Sequence, residues 1–382
     1  MSQLEIYHFY KPFTANIAGF IVPMVTGTLS AFSSGLIIYI ILRSHQKLTS
    51  TYHRIMTFMS AFDIISSLFI ALGTIIVPSD SIYEFAGPML GNDITCKVQG
   101  WLIMFGLSGA NALNACLSWY FVCILAFQIC TETISKYIEP IMYIYILIIA
   151  SFVPTIYLAT DLIHSNAYDC FCVYVPYPES CDEDKWYDWN YCTWKDGDIE
   201  KYFKYSNVAF VMIVAHFVLI VIGMSIILWT MRKKKQEIRH LINKEKEDNK
   251  QKDPQVLSAS EKEEEEKHRK ETTMSELQHS NVLILQALMY IGAYFLTWIF
   301  NVLSVELSIS SMEIDAINSV LFPLQGFWNL LIFLYDKSYL IRQESCDNLS
   351  FWQAIMKIIT APTEIPVISL TNIEIITRVE PE

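Results

Sequence analysis

The sequence predicts an all-α integral-membrane protein: a seven-transmembrane helix bundle with its N-terminus outside and its C-terminus inside. Three observations carry that prediction. The 382 residues are 53% hydrophobic and only 17% charged, against roughly 25% charged in soluble proteins, and the mean hydropathy is +0.33. The apolar residues gather into seven runs, each near the ~20 residues that a helix needs to cross a bilayer. The basic residues, finally, are concentrated in one alternate set of the loops between those runs.

The runs fall at about 17–42, 55–77, 98–129, 138–160, 206–231, 281–305 and 316–335. They are continuously apolar rather than alternating, which argues against a membrane β-barrel. In lipid each backbone polar group must be satisfied within the segment, so the runs must be helices. Residues 1–16 lack a basic leader, and the long run that follows has no small-residue cleavage pattern, so it reads as the first span and not as a secretory signal.

Orientation follows from charge. Loops 43–54, 130–137, 231–280 and 336–382 hold 21 Lys and Arg, and the other set holds 6. The positive-inside rule assigns the first set to the cytoplasm, chiefly through Arg43, Lys47, Arg54 and the run Arg232, Lys233, Lys234, Lys235. Residues 1–16 are then a short extracellular N-terminus. Of nine cysteines, Cys96, Cys170, Cys172, Cys181 and Cys192 fall outside, where disulfides persist; which of them pair is not readable from spacing. Cys116, Cys123 and Cys130, spaced by seven, read as small buried side chains on one face of the third span, with no converging ligands for a metal.

The loops differ in character. The outer loop 161–205 is acidic, with ten Asp and Glu against four Lys and Arg, and carries the aromatic stretch "DEDKWYDWNYCTW". Trp186, Asp188 and Trp189 in it are candidates for a ligand lid that draws cations through charge and cation–π contact. The cytoplasmic loop 232–280 starts as a charged extension of the fifth span and breaks near Pro254. It restarts at Ser-x-x-Glu capping boxes (Ser258 with Glu261, Ser260 with Glu263). No internal repeat of the kind found in transporters is visible.

Polar residues inside the spans are costly toward lipid and mark the faces turned to other helices. At about 100° per residue, Ser60, Asp63, Ser67 and Thr74 share a stripe on the second span. Asn111, Asn114 and Ser118 do so on the third, and Gln286, Tyr290, Thr297, Asn301 and Ser304 on the sixth. Asn318, Gln325 and Asn329 do so on the seventh. Asp63 is, with His216, the only ionisable group deep in a span. It lies roughly 13 Å in from Arg54, and Asn329 roughly 9 Å in from Tyr335 on the same side, so the two can meet directly or through water. Asp63, Asn111, Asn114, Asn301, Gln325 and Asn329 are thus the predicted polar site of the bundle core, either a cation or switch site or a packed polar contact.

The motifs "HRIMTFMSAFDIISS" (53–67), "CKVQGWLI" (96–103), "YCTW" (191–194), "ALMYIGAYFLTWIF" (287–300) and "PLQGFWNLLIFLYDK" (323–337), in this order on these spans, resemble the G protein-coupled receptor superfamily. The branch they look most like is the cyclic-AMP-receptor-like group, related to the secretin-like receptors. The resemblance covers about residues 17–345. It implies a Cys96–Cys192 disulfide, an extracellular ligand, and a bundle that opens a cytoplasmic cleft for a heterotrimeric G protein. The fifth and sixth spans would do most of the moving, with Arg232, Lys233, Lys234 and Lys235 facing the G protein. Trp298, Phe333 and Tyr335 are the possible switch residues. The departures are specific. The third span ends "AFQICTET" without an acidic-Arg-Tyr triplet, the sixth has no Cys-Trp-x-Pro, and no proline follows Asn329.

Beyond the seventh span, "DKSYLIRQESC" suggests a short helix on the membrane surface, with Cys346 as a lipid acceptor. The chain is expected at the plasma membrane as a multi-pass protein, in contact with membrane lipids and without cofactor, metal or nucleic-acid partner. An enzyme is disfavoured because no His/Asp/Glu cluster gathers on one face, and a microbial-type rhodopsin because residues 316–335 hold no lysine. The alternatives are a seven-helix transporter and a receptor or channel that works without a G protein.

Overall fold

The computed structural model describes residues 17–81, 85–166, 169–176, 178–181, 192–195, 197–251, 284–300, 312–344 and 349–360. Helices α1 (Ile17–Arg43), α2 (Thr51–Leu72), α3 (Asp93–Leu125), α4 (Thr131–Ala159) and α5 (Asp198–Gln251) come first in the chain. They are followed by α6 (Ile284–Phe300), α7 (Met312–Leu321), α8 (Gln325–Glu344) and α9 (Phe351–Thr360). A 3₁₀ turn, Phe322–Leu324, joins α7 to α8, and together they form the seventh apolar span, Ala316–Arg342. Six of these segments are long and apolar enough to cross a bilayer, and α6 is a shorter apolar helix.

Local chemistry sets several boundaries. The third helix starts at Asp93, earlier than its apolar run, because Asn92 and Thr95 form a reciprocal capping box: Thr95 N donates to Asn92 Oδ1 at 3.0 Å, and Asn92 N to Thr95 Oγ1 at 2.8 Å. It ends at Leu125, so Cys130 lies beyond it, exposed at the start of α4, while Cys116 is buried and Cys123 half-buried. The predicted row of three buried thiols is therefore only two residues long. After α2 the chain turns at Gly73, whose φ of +51° suits glycine.

The bundle closes as a ring. Helix α1 packs on α2, α2 on α3, and α3 on both α4 and α5, while α8 returns to α1 and carries α9. Small residues permit the closest crossings, as expected where lipid supplies no hydrophobic drive between helices. A Cβ on Gly106 of α3 would stand 2.7 Å from Ser66 N of α2, and one on Gly326 of α8 would stand 2.8 Å from Ser30 O of α1. The largest apolar cluster runs through this ring around Ile37, Ile55, Met59, Leu113, Leu117 and Phe333.

The segment between α4 and α5 is where four strands appear, none of them read from the sequence. Strands β1 (Ile163–Asn166) and β2 (Asp169–Tyr174) pair antiparallel, as do β3 (Pro178–Cys181) and β4 (Cys192–Trp194). The β1–β2 hairpin packs across one end of the bundle against α1, α2 and α3.

Candidate functional site

Halfway along the bundle, Asn329 of α8 reaches α2. Its Nδ2 donates to Asp63 Oδ2 at 3.0 Å, with both residues buried. Beside this pair α1 contributes serines: Ser67 donates to Ser30 Oγ at 3.1 Å, and the Gly326 amide donates to the same oxygen at 3.0 Å. Of the inward stripes read from the sequence, Ser60, Asp63 and Ser67 on α2, Thr74 on the 3₁₀ turn that follows it, and Asn111, Asn114 and Ser118 on α3 are buried, while Asn318 is half-buried. Gln286, Tyr290 and Thr297 on α6, and Gln325 and Asn329 on α8, are buried as well. Several polar atoms here have no hydrogen-bond partner among the described residues, namely Ser34 Oγ, Ser60 Oγ, Asn111 Oδ1 and both amide atoms of Gln325.

The end of the bundle away from the hairpin is fastened by two polar clusters. In one, Gln286 Nε2 of α6 donates to Tyr52 OH of α2 at 2.6 Å, and Tyr52 OH pairs with Tyr290 OH at 3.1 Å. Lys337 of α8 lies over this group, its Nζ 5.8 Å from the ring centres of both Tyr52 and Phe333. In the other, Arg54 of α2 grips Glu139 of α4 with two charge-assisted bonds, Nε to Oε1 at 2.5 Å and Nη2 to Oε2 at 2.6 Å. Thr51 and Tyr143 also donate to that carboxylate. Glu139 and Tyr52 were not singled out in the sequence.

This end also corrects the sequence reading. Tyr335-Asp336-Lys337 does not mark the end of the seventh helix, which continues to Glu344, and Asp336 and Lys337 are 3% and 2% exposed. The tyrosine and phenylalanine faces around Lys337 supply the burial that the sequence alone did not promise. Residues 336–344 of the stretch expected to form a separate surface helix are therefore the last part of α8, and the separate helix is α9. Phe333 is fully buried, whereas Tyr335 is 40% exposed and sits against Phe351 of α9. Trp298 is buried on α6 beside Tyr294 and Phe322.

At the hairpin end the disulfide joins Cys96 to Cys172, with 5.4 Å between their Cα atoms, and not to Cys192 as the resemblance implied. The register explains the choice. Cys96 occupies the first turn of α3, and three residues on Gln99 Oε1 accepts the Cys172 amide at 3.1 Å. Gln99 Nε2 meanwhile donates to Phe69 O and Gly73 O, each at 3.0 Å. One glutamine thus docks β2 on α3 and on the end of α2. Cys192 is itself disulfide-bonded and lies opposite Cys181 in the β3–β4 ladder. The "DCFCVY" alternation was the available signal, but it offered two thiols two residues apart. On the rim, Lys97 bridges Asp93 and Asp161 at 2.7 Å each, and its ammonium holds the Asp161 carboxyl below the usual carboxylate range.

Other predicted residues take separate places. His216 of α5 is satisfied on both nitrogens, by Tyr145 OH of α4 at 2.8 Å and by Met212 O at 2.7 Å. Arg232, Lys233 and Lys235 are exposed on α5, which continues unbroken past them; Lys234 lies on the same helix, its side chain not described. Trp186, Asp188, Trp189, Asn301, Ser304, Ser258, Ser260 and Cys346 lie outside the described residues.

No protein-family model matches the chain, and no curated protein matches it. Among solved structures it is similar to squid rhodopsin, with a TM-score of 0.59 over 94% of this chain and 95% of that one. At 11% identity the likeness is one of fold. The chain shares the seven-helix fold of squid rhodopsin.

Proposed function

We infer that this chain is a multi-pass cell-surface receptor that binds an extracellular ligand and signals through a heterotrimeric G protein. Its branch, on the motifs of the sequence, is that of the cyclic-AMP-receptor-like receptors. The observation that carries the reading is the placement of α6. Near the hairpin its Tyr294 and Trp298 share a buried cluster with Phe171 of β2, and at the other end its Gln286 and Tyr290 are bonded to Tyr52 of α2. A ligand that displaces one end of this helix strains the hydrogen bonds at the other. That is the coupling between two sites that signalling requires.

In this reading the hairpin end is extracellular, and Trp186, Asp188 and Trp189 belong to the lid above it. The Tyr52–Gln286–Tyr290 cluster is a latch whose opening admits the G protein, with Arg232, Lys233, Lys234 and Lys235 beside the cleft. Asp63, Asn111, Gln325 and Asn329 form the polar centre between the ends, with Asn114 beside it; Asn301, also read from the sequence as part of it, lies outside the described residues. Each unpaired buried polar group costs about 1–3 kcal/mol, so stability alone does not account for so many on facing helices. A small cation on Asp63 is the partner that such a centre suits. Lipid contacts the outer face and α9, where Trp352 and Met356 point away from the protein.

The test is reconstitution of the full chain in lipid nanodiscs with each class of heterotrimeric G protein, measuring nucleotide exchange for wild type and Tyr52→Phe. Exchange that rises in the variant is expected. If neither protein stimulates any G protein, while vesicles carrying the chain take up solute, the transporter reading replaces this one.

A further inference from the structure

A hydroxyl inside a helix can satisfy itself on the carbonyl one turn back. Several in this bundle do: Ser33 Oγ donates to Leu29 O, Ser66 Oγ to Phe62 O and Thr297 Oγ1 to Ala293 O. On α2 two do not. Thr57 Oγ1 and Ser60 Oγ are closed off from solvent and have no hydrogen-bond partner among the described residues. Such exceptions in a folded protein call for an explanation.

The two are not scattered. His53, Thr57, Ser60 and Asp63 follow at spacings of four, three and three residues, which sets each beside the next on one side of the helix. His53, Ser60 and Asp63 are buried and Thr57 is half-buried. The row starts in the first turn of α2 and ends at the carboxyl that accepts from Asn329. From His53 to Asp63 it rises roughly 15 Å along the helix.

The row also has a direction. His53 Nδ1 lies 3.0 Å from Lys47 O, so Nδ1 carries the hydrogen and donates it. Nε2 is left as an acceptor, and it too is buried without a partner among the described residues. Imidazole is the side chain suited to take a proton at one nitrogen and give one up at the other. Lys47 itself is exposed, so the Nδ1 side of the ring borders the surface loop. The other groups around His53 are the Tyr52 ring and, on α8, the Lys337 ammonium. On Asp63 no charged group acts among the described residues. Toward the hairpin the next polar residue on this face is Ser67, whose hydroxyl is committed to Ser30.

We propose that this face of α2 is a proton path, by which the Asp63 carboxyl exchanges its proton with water at the latch end of the bundle. On release, the carboxyl O–H bond breaks as a new one forms at Ser60 Oγ. The Ser60 proton passes to Thr57 Oγ1, the Thr57 proton to His53 Nε2, and the Nδ1 proton leaves to water beside Lys47. Each step breaks one O–H or N–H bond and forms one, and uptake runs the steps backwards. A half-turn of the ring restores the starting tautomer. Neighbours at these spacings connect directly or through one bridging water. When a small cation takes Asp63, the displaced proton leaves by this route. The path goes beyond the receptor reading, and its test involves no G protein.

That test is infrared difference spectroscopy on the full chain in proteoliposomes of one orientation, after an acid jump on either face. The Asp63 signal is the carboxyl band that Asp63→Asn lacks. It is expected to rise faster after a jump on the latch face than after one on the hairpin face. Ser60→Ala and Thr57→Val should each slow that rise about tenfold, the effect of one hydrogen bond lost at the barrier. Thr57→Ser keeps the hydroxyl and should keep the rate, which a role for the Thr57 methyl in packing would not give. Unchanged rates in both Ser60→Ala and Thr57→Val overturn the proposal. A faster rise from the hairpin face overturns it too, as does the lack of any Asp63-dependent band at every pH where the protein stays folded. Nucleotide exchange on a G protein is a separate measurement, so either reading can fail without the other.

Discussion

Asn329 of α8 donates a hydrogen bond to Asp63 of α2 across 3.0 Å, in a part of the bundle where both side chains are buried. Removing the amide leaves a buried carboxyl without this donor. Asn329→Ala is expected to destabilise the protein by about 1–3 kcal/mol, read as a lower melting temperature in detergent. Asp63→Asn keeps an acceptor for the same donor and should cost less. The order of the two melting temperatures checks this, and a variant Asp63→Asn that is the less stable of the pair would contradict it. On the receptor reading, Asp63→Asn also changes basal nucleotide exchange or its dependence on sodium.

The pairing of Arg54 with Glu139 gives a second ordering. Glu139 is buried and Arg54 partly open, and the carboxylate has two further donors in Thr51 and Tyr143. Arg54→Ala removes the cation bonded to a buried carboxylate, a change of the kind that costs about 3 kcal/mol when the site is closed. Glu139→Gln leaves an amide that still accepts, and leaves Arg54 free to turn to solvent. Thermal denaturation should therefore rank Arg54→Ala below Glu139→Gln, and a double-mutant cycle should return a favourable coupling.

These two pairs show what was legible in the sequence. Asp63 and Asn329 stand out because each is a polar group within an apolar run, where angle and depth can be counted from the run itself. Arg54 and Glu139 sit at the ends of their runs, where a charge is the expected boundary marker and hints at no partner. Asp336 and Lys337 misled for the same reason. The disulfide was out of reach differently, because the choice of Cys172 over Cys192 depends on a strand register and on Gln99, and a loop of unknown shape reveals neither.

That disulfide makes a direct prediction. Peptide mapping without reduction should recover Cys96 linked to Cys172. Cys96→Ser and Cys172→Ser should lower the melting temperature equally, since each opens the same closure of 76 residues. Chain entropy alone values that closure at roughly 4 kcal/mol, and helices already held by lipid reduce it. Cys192→Ser should leave the Cys96–Cys172 peptide intact.

The latch of Tyr52 with Gln286 and Tyr290 predicts a conformational effect. Tyr52→Phe deletes the hydroxyl that accepts from Gln286 and pairs with Tyr290. One or two lost hydrogen bonds shift a two-state balance by about 1–2 kcal/mol, or 5- to 30-fold. Spin labels on α2 and α6 at this end should report a larger fraction of long distances in the variant. An unchanged distance distribution would show that these bonds do not hold α6 closed.

Arg43, the last residue of α1, caps a helix more than 300 positions away. Its Nη1 donates to Ile359 O at 3.1 Å and its Nη2 to Thr360 O at 2.8 Å, carbonyls in the last turn of α9 that have no partner within the helix. A cation there also complements the helix dipole. Helix α9 has only ten residues, too few to be stable alone, so its order depends on such anchors and on the apolar face formed by Ala354, Ile355 and Ile358. Arg43→Ala is expected to speed hydrogen exchange across 351–360 with little change in α1 to α3. Arg43→Lys should give only partial protection, because an ammonium lacks the fork that spans two carbonyls. Equal exchange in all three proteins would mean that the apolar face alone holds α9.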